Sequence, residues 1–269
     1  MQYLDIVKEQ AAALEAGKSF ATVTIAQADG SAPRSHGKML VYADGSTYGT
    51  VGGGSLELLA IRDAKKCLEK GTNDLMHYDL DVPSARAGMI CGGKVSLLYE
   101  VYIARPLLIM CGAGHVGEGV LTLAKYLGYE TWLLDDRAEE SIASKIALCD
   151  RFIPTRNFEK ELTEMAIPAG AYAVIATHGH SMDGEALYGM LHHDNAYVGM
   201  IGSRKKIAAL FAKLEEKGVS KEQLATVYTP IGLNIGGETP QEIALAIMGE
   251  IQSVRYGKDY AHCREEKQD

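Results

Sequence analysis

The feature that most constrains the fold is an apolar run that ends in a glycine-rich loop and leads into a helical pattern. Pro106–Met110 has the character of a buried strand, and Cys111–Gly117 (CGAGHVG) follows it directly. Such a strand, loop and helix let the backbone approach a phosphate, which lies on free N–H groups at the positive end of the helix dipole. A glycine turn used only for close helix packing is the alternative. The residues of the predicted site are Gly112, Gly114, His115 and Gly117.

The next apolar run ends in acidic residues. Glu130–Leu134 is followed by Asp135, Asp136 and Arg137. In dinucleotide sites an acid about 20 residues beyond the glycine loop meets a ribose hydroxyl. Asp135 and Arg137 therefore join the predicted site.

The position of the glycine loop predicts two domains. A chain of 269 residues exceeds the roughly 100–200 residues typical of one domain. Residues 1–104 carry hairpin signals such as Asp44–Gly45 and predict a smaller α+β domain. In 105–257, apolar runs alternate with helical patterns, which predicts an α/β fold with a Rossmann-like, doubly wound parallel sheet. A charged tail follows at 258–269.

Composition narrows the function classes. The net charge of −8 and the lack of a long basic block argue against nucleic-acid binding. No apolar run approaches the roughly 18 residues that span a bilayer, so we expect a cytoplasmic protein without a membrane segment. The five cysteines form no C-x-x-C pair, which argues against a disulfide framework and a structural zinc site.

Two further loops of the second domain follow predicted strands, where ligands of parallel sheets collect. One carries His178, His180 and Asp183, which could hold zinc; helix capping by Ser181 or Asp183 explains the same string. The other is Gly202-Ser203-Arg204, where cations at a helix start oppose the helix dipole and suggest a bound anion, although an exposed basic turn is equally consistent with it.

The first domain has three loops that could carry chemistry. Residues 30–37 combine a proline turn with Arg34 and His36, and residues 49–54 place Gly52, Gly53 and Gly54 before a helix, a second possible anion cradle. In residues 88–93, Cys91 lies between glycines and near two basic residues, which favour a reactive thiolate; a buried structural cysteine is the alternative.

Taken together, these strings resemble the XdhC/CoxI family, accessory factors of xanthine dehydrogenase and related molybdenum hydroxylases. The match runs in the expected order along nearly the whole chain. The strings that carry it are 30–34, 49–54 with Leu56-Glu57, 91–93, 112–116, 135–137, 177–180, 202–205, 230–236 and 238–243.

The resemblance implies a chaperone, and not a stand-alone enzyme, that binds the molybdenum cofactor, supports its sulfuration with a cysteine desulfurase and inserts it into an apo-hydroxylase. By analogy, the phosphate or nucleotide end of the pterin lies on the glycine loop at 112–117. Arg34, His36 and Cys91, with the other glycine loops of the first domain, then face the molybdenum. A ligand shared by two small domains favours a homodimer.

Other function classes remain open on the residues alone. An NAD(P)-dependent oxidoreductase would use the same glycine loop and Asp135, with His115 or His178 as proton donor. A nucleotide-sensing module would bind NAD without turnover. A metal hydrolase would need zinc at His178, His180 and Asp183.

Overall fold

The computed structural model describes residues 3–30, 35–80, 93–258 and 260. These residues form two compact units, one that ends at Ala104 and one that begins at Arg105. Within the described ranges, no helix combines the length and the apolar character that crossing a membrane requires.

The first unit is an α+β fold built on hairpins. Its strands form an antiparallel sheet in the order β3-β2-β1-β5-β4. One face of this sheet packs against a helix through buried side chains such as Val23, Leu97 and Leu56. Its elements are α1 (Tyr3–Glu15), β1 (Phe20–Asp29), β2 (Lys38–Tyr42), β3 (Thr47–Thr50), α2 (Gly54–Lys70), β4 (Asp74–Asp79) and β5 (Lys94–Tyr102).

The second unit is a doubly wound parallel sheet in the order β10-β9-β6-β7-β8. Its first elements are β6 (Leu107–Cys111), α3 (His115–Tyr126), β7 (Glu130–Asp135), α4 (Glu139–Ile146), β8 (Arg151–Pro154) and α5 (Phe158–Glu164). They continue as β9 (Ala171–Ile175), α6 (His180–Met190), β10 (Asn195–Met200), α7 (Arg204–Glu216), α8 (Lys221–Ala225) and α9 (Pro240–Tyr256). The predicted Rossmann-like domain, preceded by a smaller one, is confirmed.

The sequence folds this way because the central strands are apolar on both faces. All of β6 is buried: Ile109 packs into one core, while Leu108 and Met110 pack into the core on the opposite face. A strand buried on both sides needs helices above and below it, which parallel crossover connections supply.

The last helix begins as its sequence predicts. Thr239 accepts a hydrogen bond from the N–H of Glu242 at 3.3 Å, and the Glu242 carboxylate accepts one from the N–H of Thr239 at 2.9 Å. This reciprocal capping box, with Pro240 in the first turn, fixes where α9 starts.

Candidate phosphate-binding site

The candidate site lies at the carboxyl ends of the central strands. β6 and β9 are neighbours, and the helices that follow them pack on opposite faces of the sheet: α3 joins the core of Met110, and α6 joins the core of Ile109. Where the connections diverge in this way, a crevice opens that binds ligands in doubly wound folds.

Two of the three loop glycines are required by the protein's own packing. Gly112 has φ +114°, and a Cβ atom there would overlap the carbonyl of Ala176. A Cβ atom on Gly117 would overlap the carbonyl of Gly112, so this glycine lets α3 approach the loop closely. At these two positions, the protein's own packing is enough to explain the glycine.

Gly114 is different, because no packing requirement explains it. Its φ of −73° suits any residue, and a Cβ atom there would meet no heavy atom within 4 Å. Gly114 is also the N-cap of α3 and supplies no side-chain hydrogen bond to it. Among the described residues, no group accepts a hydrogen bond from the N–H of Gly114, His115 or Val116. Space and unpaired N–H donors at a helix N-terminus suit a phosphate.

Asp135 anchors the glycine loop from the next strand. One carboxylate oxygen accepts hydrogen bonds from the N–H of Ala113 at 2.6 Å and from Nη2 of Arg137 at 2.8 Å. The other accepts from Nε and the backbone N–H of Arg137 at 2.8 and 3.0 Å. Burial would raise the pKa of Asp135, but these hydrogen bonds outweigh it and lower the pKa.

The ribose contact expected of Asp135 stays a prediction, and the structure shows instead a carboxylate occupied by protein donors. Its side chain is only 2 % exposed, and both oxygens already accept two hydrogen bonds each from protein donors. A carboxylate has about four acceptor positions, so none is left for a ribose hydroxyl. Arg137 contributes to the site through this ion pair.

An exposed pair lies across the site. Nδ1 of His178 is 3.3 Å from a carboxylate oxygen of Asp136. His178 follows β9 and Asp136 follows β7, and these strands flank β6 on its two sides. The pair thus spans the end of β6, where the glycine loop begins, although sequence spacing gave no reason to pair these residues.

The predicted metal ligands are only partly described. Asp183 accepts hydrogen bonds from the N–H and hydroxyl of Thr177 at 3.0 and 2.7 Å, and so holds the loop between β9 and α6. The His180 side chain lies outside the described residues. Among the residues that are described, no three or more His, Cys, Asp or Glu side chains form a group that could hold a metal ion.

The basic turn after β10 lies on the same edge of the sheet but farther out. β9 separates β10 from β6, so Gly202, Ser203 and Arg204 follow a strand that is not adjacent to the glycine loop. Ser203 is the N-cap of α7, yet its side chain makes no capping hydrogen bond. A role for this turn in binding stays a prediction.

In the first unit, a carboxylate of the chain itself fills much of the predicted anion cradle. One oxygen of Glu57 accepts hydrogen bonds from the N–H of Val51 at 3.2 Å, the N–H of Gly53 at 2.9 Å and the hydroxyl of Thr50. The N–H of Gly52 bonds to the Thr50 hydroxyl at 3.1 Å. The N–H groups of Val51, Gly52 and Gly53 thus already have acceptors within the protein, and a second anion cradle in this loop stays a prediction. Glu57 stands one helical turn after Gly53, but Glu118 stands equally far after Gly114 and pairs with Lys145 instead, so position alone does not predict the contact.

Near Gly54, the structure leaves open space. Gly54 has φ +66°, and a Cβ atom there would meet nothing within 4 Å. His36 is exposed, and its Nδ1 is 3.1 Å from the Ser35 hydroxyl. Arg34 and Cys91 lie outside the described residues, so their expected roles stay predictions.

Comparisons with known proteins agree with this architecture. The family description "XdhC Rossmann domain" matches residues 108–251, more than half of the chain, and "XdhC and CoxI family" matches residues 13–79. A crystal structure described as a xanthine dehydrogenase from Bacillus halodurans aligns with a TM-score of 0.51 at 19 % identity, covering 97 % of this chain and 98 % of that one. At this identity the likeness shows the fold alone.

Several curated proteins are similar in sequence. "Uncharacterized protein YqeB" of Escherichia coli is 34 % identical over 94 % of this chain and 46 % of its own length. A Bacillus subtilis protein described as a probable component of xanthine dehydrogenase is 29 % identical over 56 % of this chain and 43 % of its own length. "Molybdenum cofactor insertion chaperone PaoD" of Escherichia coli is 24 % identical over 93 % of this chain and 88 % of its own length.

The alignments cover less than half the length of the first two of these relatives. The family matches nevertheless fall in both units, and the one on the second unit includes the glycine loop, Asp135 and most of α9. The chain belongs to the XdhC and CoxI family.

Proposed function

We propose that this protein is an accessory factor that binds the molybdenum cofactor as cargo, supports its sulfuration and inserts it into a molybdenum hydroxylase. Family membership supports this role, as does similarity to a protein named as a molybdenum cofactor insertion chaperone. When bound, the cofactor supplies a molybdenum centre carried on a pterin that ends in phosphate. The chain's own contribution is to hold that cargo.

One observation carries the proposal: the N-terminus of α3 has donors and space but no protein acceptor. The backbone N–H groups of Gly114, His115 and Val116 are unbonded among the described residues, and a Cβ atom at position 114 would meet no heavy atom within 4 Å. A phosphate there gains two or three hydrogen bonds and the positive end of the helix dipole. The residues present therefore fit the phosphate end of the pterin.

The rest of the site fixes the geometry of this donor group. Asp135 accepts a hydrogen bond from Ala113, the residue before Gly114, and is itself held by Arg137. The loop is thus fixed in place before a ligand arrives, which lowers the conformational entropy lost on binding. Asp136 and His178 are the polar side chains expected to meet the part of the ligand beyond the phosphate.

The test measures how much cofactor is retained by a variant whose side chain at position 114 blocks the proposed phosphate site and leaves the fold intact. The protein is purified from a host that makes molybdopterin, and bound pterin is measured by fluorescence after oxidation, with molybdenum measured by mass spectrometry. Gly114→Val should retain at most about a tenth of the pterin that the wild type retains, because the isopropyl group excludes the phosphate. The φ of Gly114 suits valine, so the fold is expected to survive.

A matched control separates this effect from a general effect of valine. Ala208 is exposed on α7, and Ala208→Val places the same isopropyl side chain on a helix away from the glycine loop. This variant should retain pterin like the wild type. Equal retention by Gly114→Val and Ala208→Val would contradict the proposed site.

The client is an apo molybdenum hydroxylase, a cysteine desulfurase supplies the sulfur, and the protein acts as a homodimer in the cytoplasm. Pterin-loaded protein should restore activity to a purified apo-hydroxylase, and Gly114→Val should not. Restoration by the empty wild-type protein at the same rate would argue against a role in cofactor delivery.

A further inference from the structure

The acidic residue that would bind the ribose of a dinucleotide is inaccessible in this protein. In dinucleotide-binding domains an acidic residue after the second strand presents free oxygens to the ribose hydroxyls. Asp135 holds that position as the last residue of β7, but each of its oxygens accepts two hydrogen bonds from the protein. At 2 % exposure the side chain also leaves no surface for a ribose to contact.

Arg137 is the residue that occupies both oxygens of Asp135. Its Nε and Nη2 atoms each lie 2.8 Å from a different oxygen of Asp135, a bidentate arrangement, and its backbone N–H adds a third bond. The Arg137 side chain is 35 % exposed and that of Asp135 only 2 %, so the arginine covers the buried acid. A ribose that reached Asp135 would have to displace these charge-assisted hydrogen bonds with weaker neutral ones.

The neighbouring acid is no simple substitute. Asp136 is accessible, but its carboxylate is directed to His178, which follows β9 on the far side of β6. A ribose bound to Asp136 would have to share it with this imidazole. The glycine loop itself remains open. Neither the Arg137–Asp135 pair nor the His178–Asp136 pair bonds to the N–H of Gly114, and a Cβ atom on Gly114 would meet nothing within 4 Å.

We propose that the Arg137–Asp135 pair makes this site selective for ligands that end in a phosphate monoester and excludes adenine dinucleotides. The inference rests on the proposed function in placing the phosphate at the N-terminus of α3. It assigns Arg137 as the residue that determines specificity. It also predicts that the retained pterin ends in a single phosphate and carries no nucleotide.

The test is a gain of binding. The affinity of purified protein for NAD⁺ is measured by isothermal titration calorimetry, and the wild type should show no saturable binding at millimolar NAD⁺. Arg137→Ala frees both oxygens of Asp135 from the guanidinium and should raise the affinity at least about tenfold. Adding Asp135→Asn to that variant should remove the gain, because the freed carboxylate is what binds the ribose.

Controls keep the test interpretable. Arg156→Ala removes an exposed arginine from the same unit and should gain no affinity. Fluorescence of Trp132, on the same strand as Asp135, reports whether each variant is folded. Tight NAD⁺ binding by the wild type would overturn the inference, and so would a folded Arg137→Ala variant with no gain. Wild-type binding that Asp136→Asn abolishes would identify Asp136 as the ribose acid and also overturn it.

The result is separable from the proposed function. Mass spectrometry of the pterin released from wild-type protein distinguishes a monoester from a dinucleotide form. If the protein retains the monoester and also binds NAD⁺ tightly, the proposed function is supported and the inference is refuted. Retention of a dinucleotide form has the same meaning. If the protein retains no pterin but Arg137→Ala gains NAD⁺ binding, the proposed function is refuted, while the inference that Arg137 blocks ribose binding at Asp135 is supported.

Discussion

Asp135→Asn should destabilise the second unit, because Asp135 joins two loops through one buried carboxylate. The amide that replaces it keeps one oxygen for the N–H of Ala113 but turns an NH₂ group toward the guanidinium of Arg137. The retained oxygen still accepts from Nη2 of Arg137, but Nε and the backbone N–H of Arg137 lose their acceptor and face the NH₂ group. The loss is the ion pair with these two hydrogen bonds, while the hydrogen bond to the glycine loop remains.

The size of the effect follows from burial on each side. Hydrogen bonds to charged groups contribute about 1.5–3 kcal/mol when buried, but Arg137 is 35 % exposed and water screens its charge. We expect the free energy of unfolding of the second unit to fall by about 2 kcal/mol. At roughly 2–4 °C per kcal/mol for a unit of this size, the melting temperature should fall by about 4–8 °C.

The effect should depend on pH in a defined direction. Burial would raise the pKa of Asp135, but hydrogen bonds from Arg137 and Ala113 lower it on balance. The stabilisation is therefore present above the unfolded pKa of about 3.9 and is lost as pH falls through the lower folded pKa. The difference between wild type and Asp135→Asn should be largest near neutral pH and shrink in acid.

The assay uses the single tryptophan of the chain as a local reporter. Trp132 lies on β7 with Asp135, so its fluorescence during denaturant unfolding follows the second unit. Asp136→Asn, which removes the same charge from an exposed position next to Asp135, is the matched control and should change stability little. If the two variants unfold at the same denaturant concentration, Asp135 does not anchor the loop as described.

Three further outcomes are expected. Glu57→Gln should speed hydrogen exchange of the amide of Gly53, measured by mass spectrometry, because the carboxylate that binds this N–H loses its charge; unchanged exchange would contradict the contact. Burial alone would raise the pKa of Asp63, but hydrogen bonds from its neighbours lower it to about 2; its stabilisation should thus be lost as pH falls from about 4 toward that value. Asp63→Asn should remove this part of the acid-unfolding profile, and an unaltered profile would refute it. Burial raises the pKa of Cys111 to about 12, so iodoacetamide at pH 8 should modify this thiol only after unfolding; rapid modification of the folded protein would show that it is accessible.

The sequence predicts the second unit well, because its signals are local. Five apolar runs alternating with helical patterns allow few arrangements other than a parallel sheet, and they correspond to the observed strands of the second unit. The start of α9 is equally local: threonine, proline and glutamate at Thr239, Pro240 and Glu242 define a capping box wherever they occur before an apolar helix.

Local sequence does not predict in the same way whether side chains bind the N–H groups of the glycine loops. A glycine loop before a helix offers N–H groups, but whether they are free depends on which side chains reach them. The loop before α3 keeps Gly114 unoccupied, whereas Glu57 folds back on the loop before α2. The two loops look alike in sequence, even to a glutamate four residues after each N-cap glycine. Glu57 bonds back to its own loop, whereas Glu118 pairs with Nζ of Lys145 at 3.3 Å.

The roles of the acids after β7 depend on tertiary structure. Spacing from the glycine loop selects Asp135 and Asp136 equally, because they are adjacent. The structure separates them: Asp135 turns inward to Ala113 and Arg137, and Asp136 turns outward to His178. Since side chains alternate in direction along a strand, the strand's exit fixes which acid is buried.

The most direct test of the central claim is a crystal structure of the protein loaded with its pterin. The account predicts phosphate oxygens within about 3 Å of the backbone nitrogens of His115 and Val116, in the space that a Cβ atom on Gly114 would enter. A bound pterin whose phosphate lies elsewhere, with these N–H groups still unbonded, would contradict it.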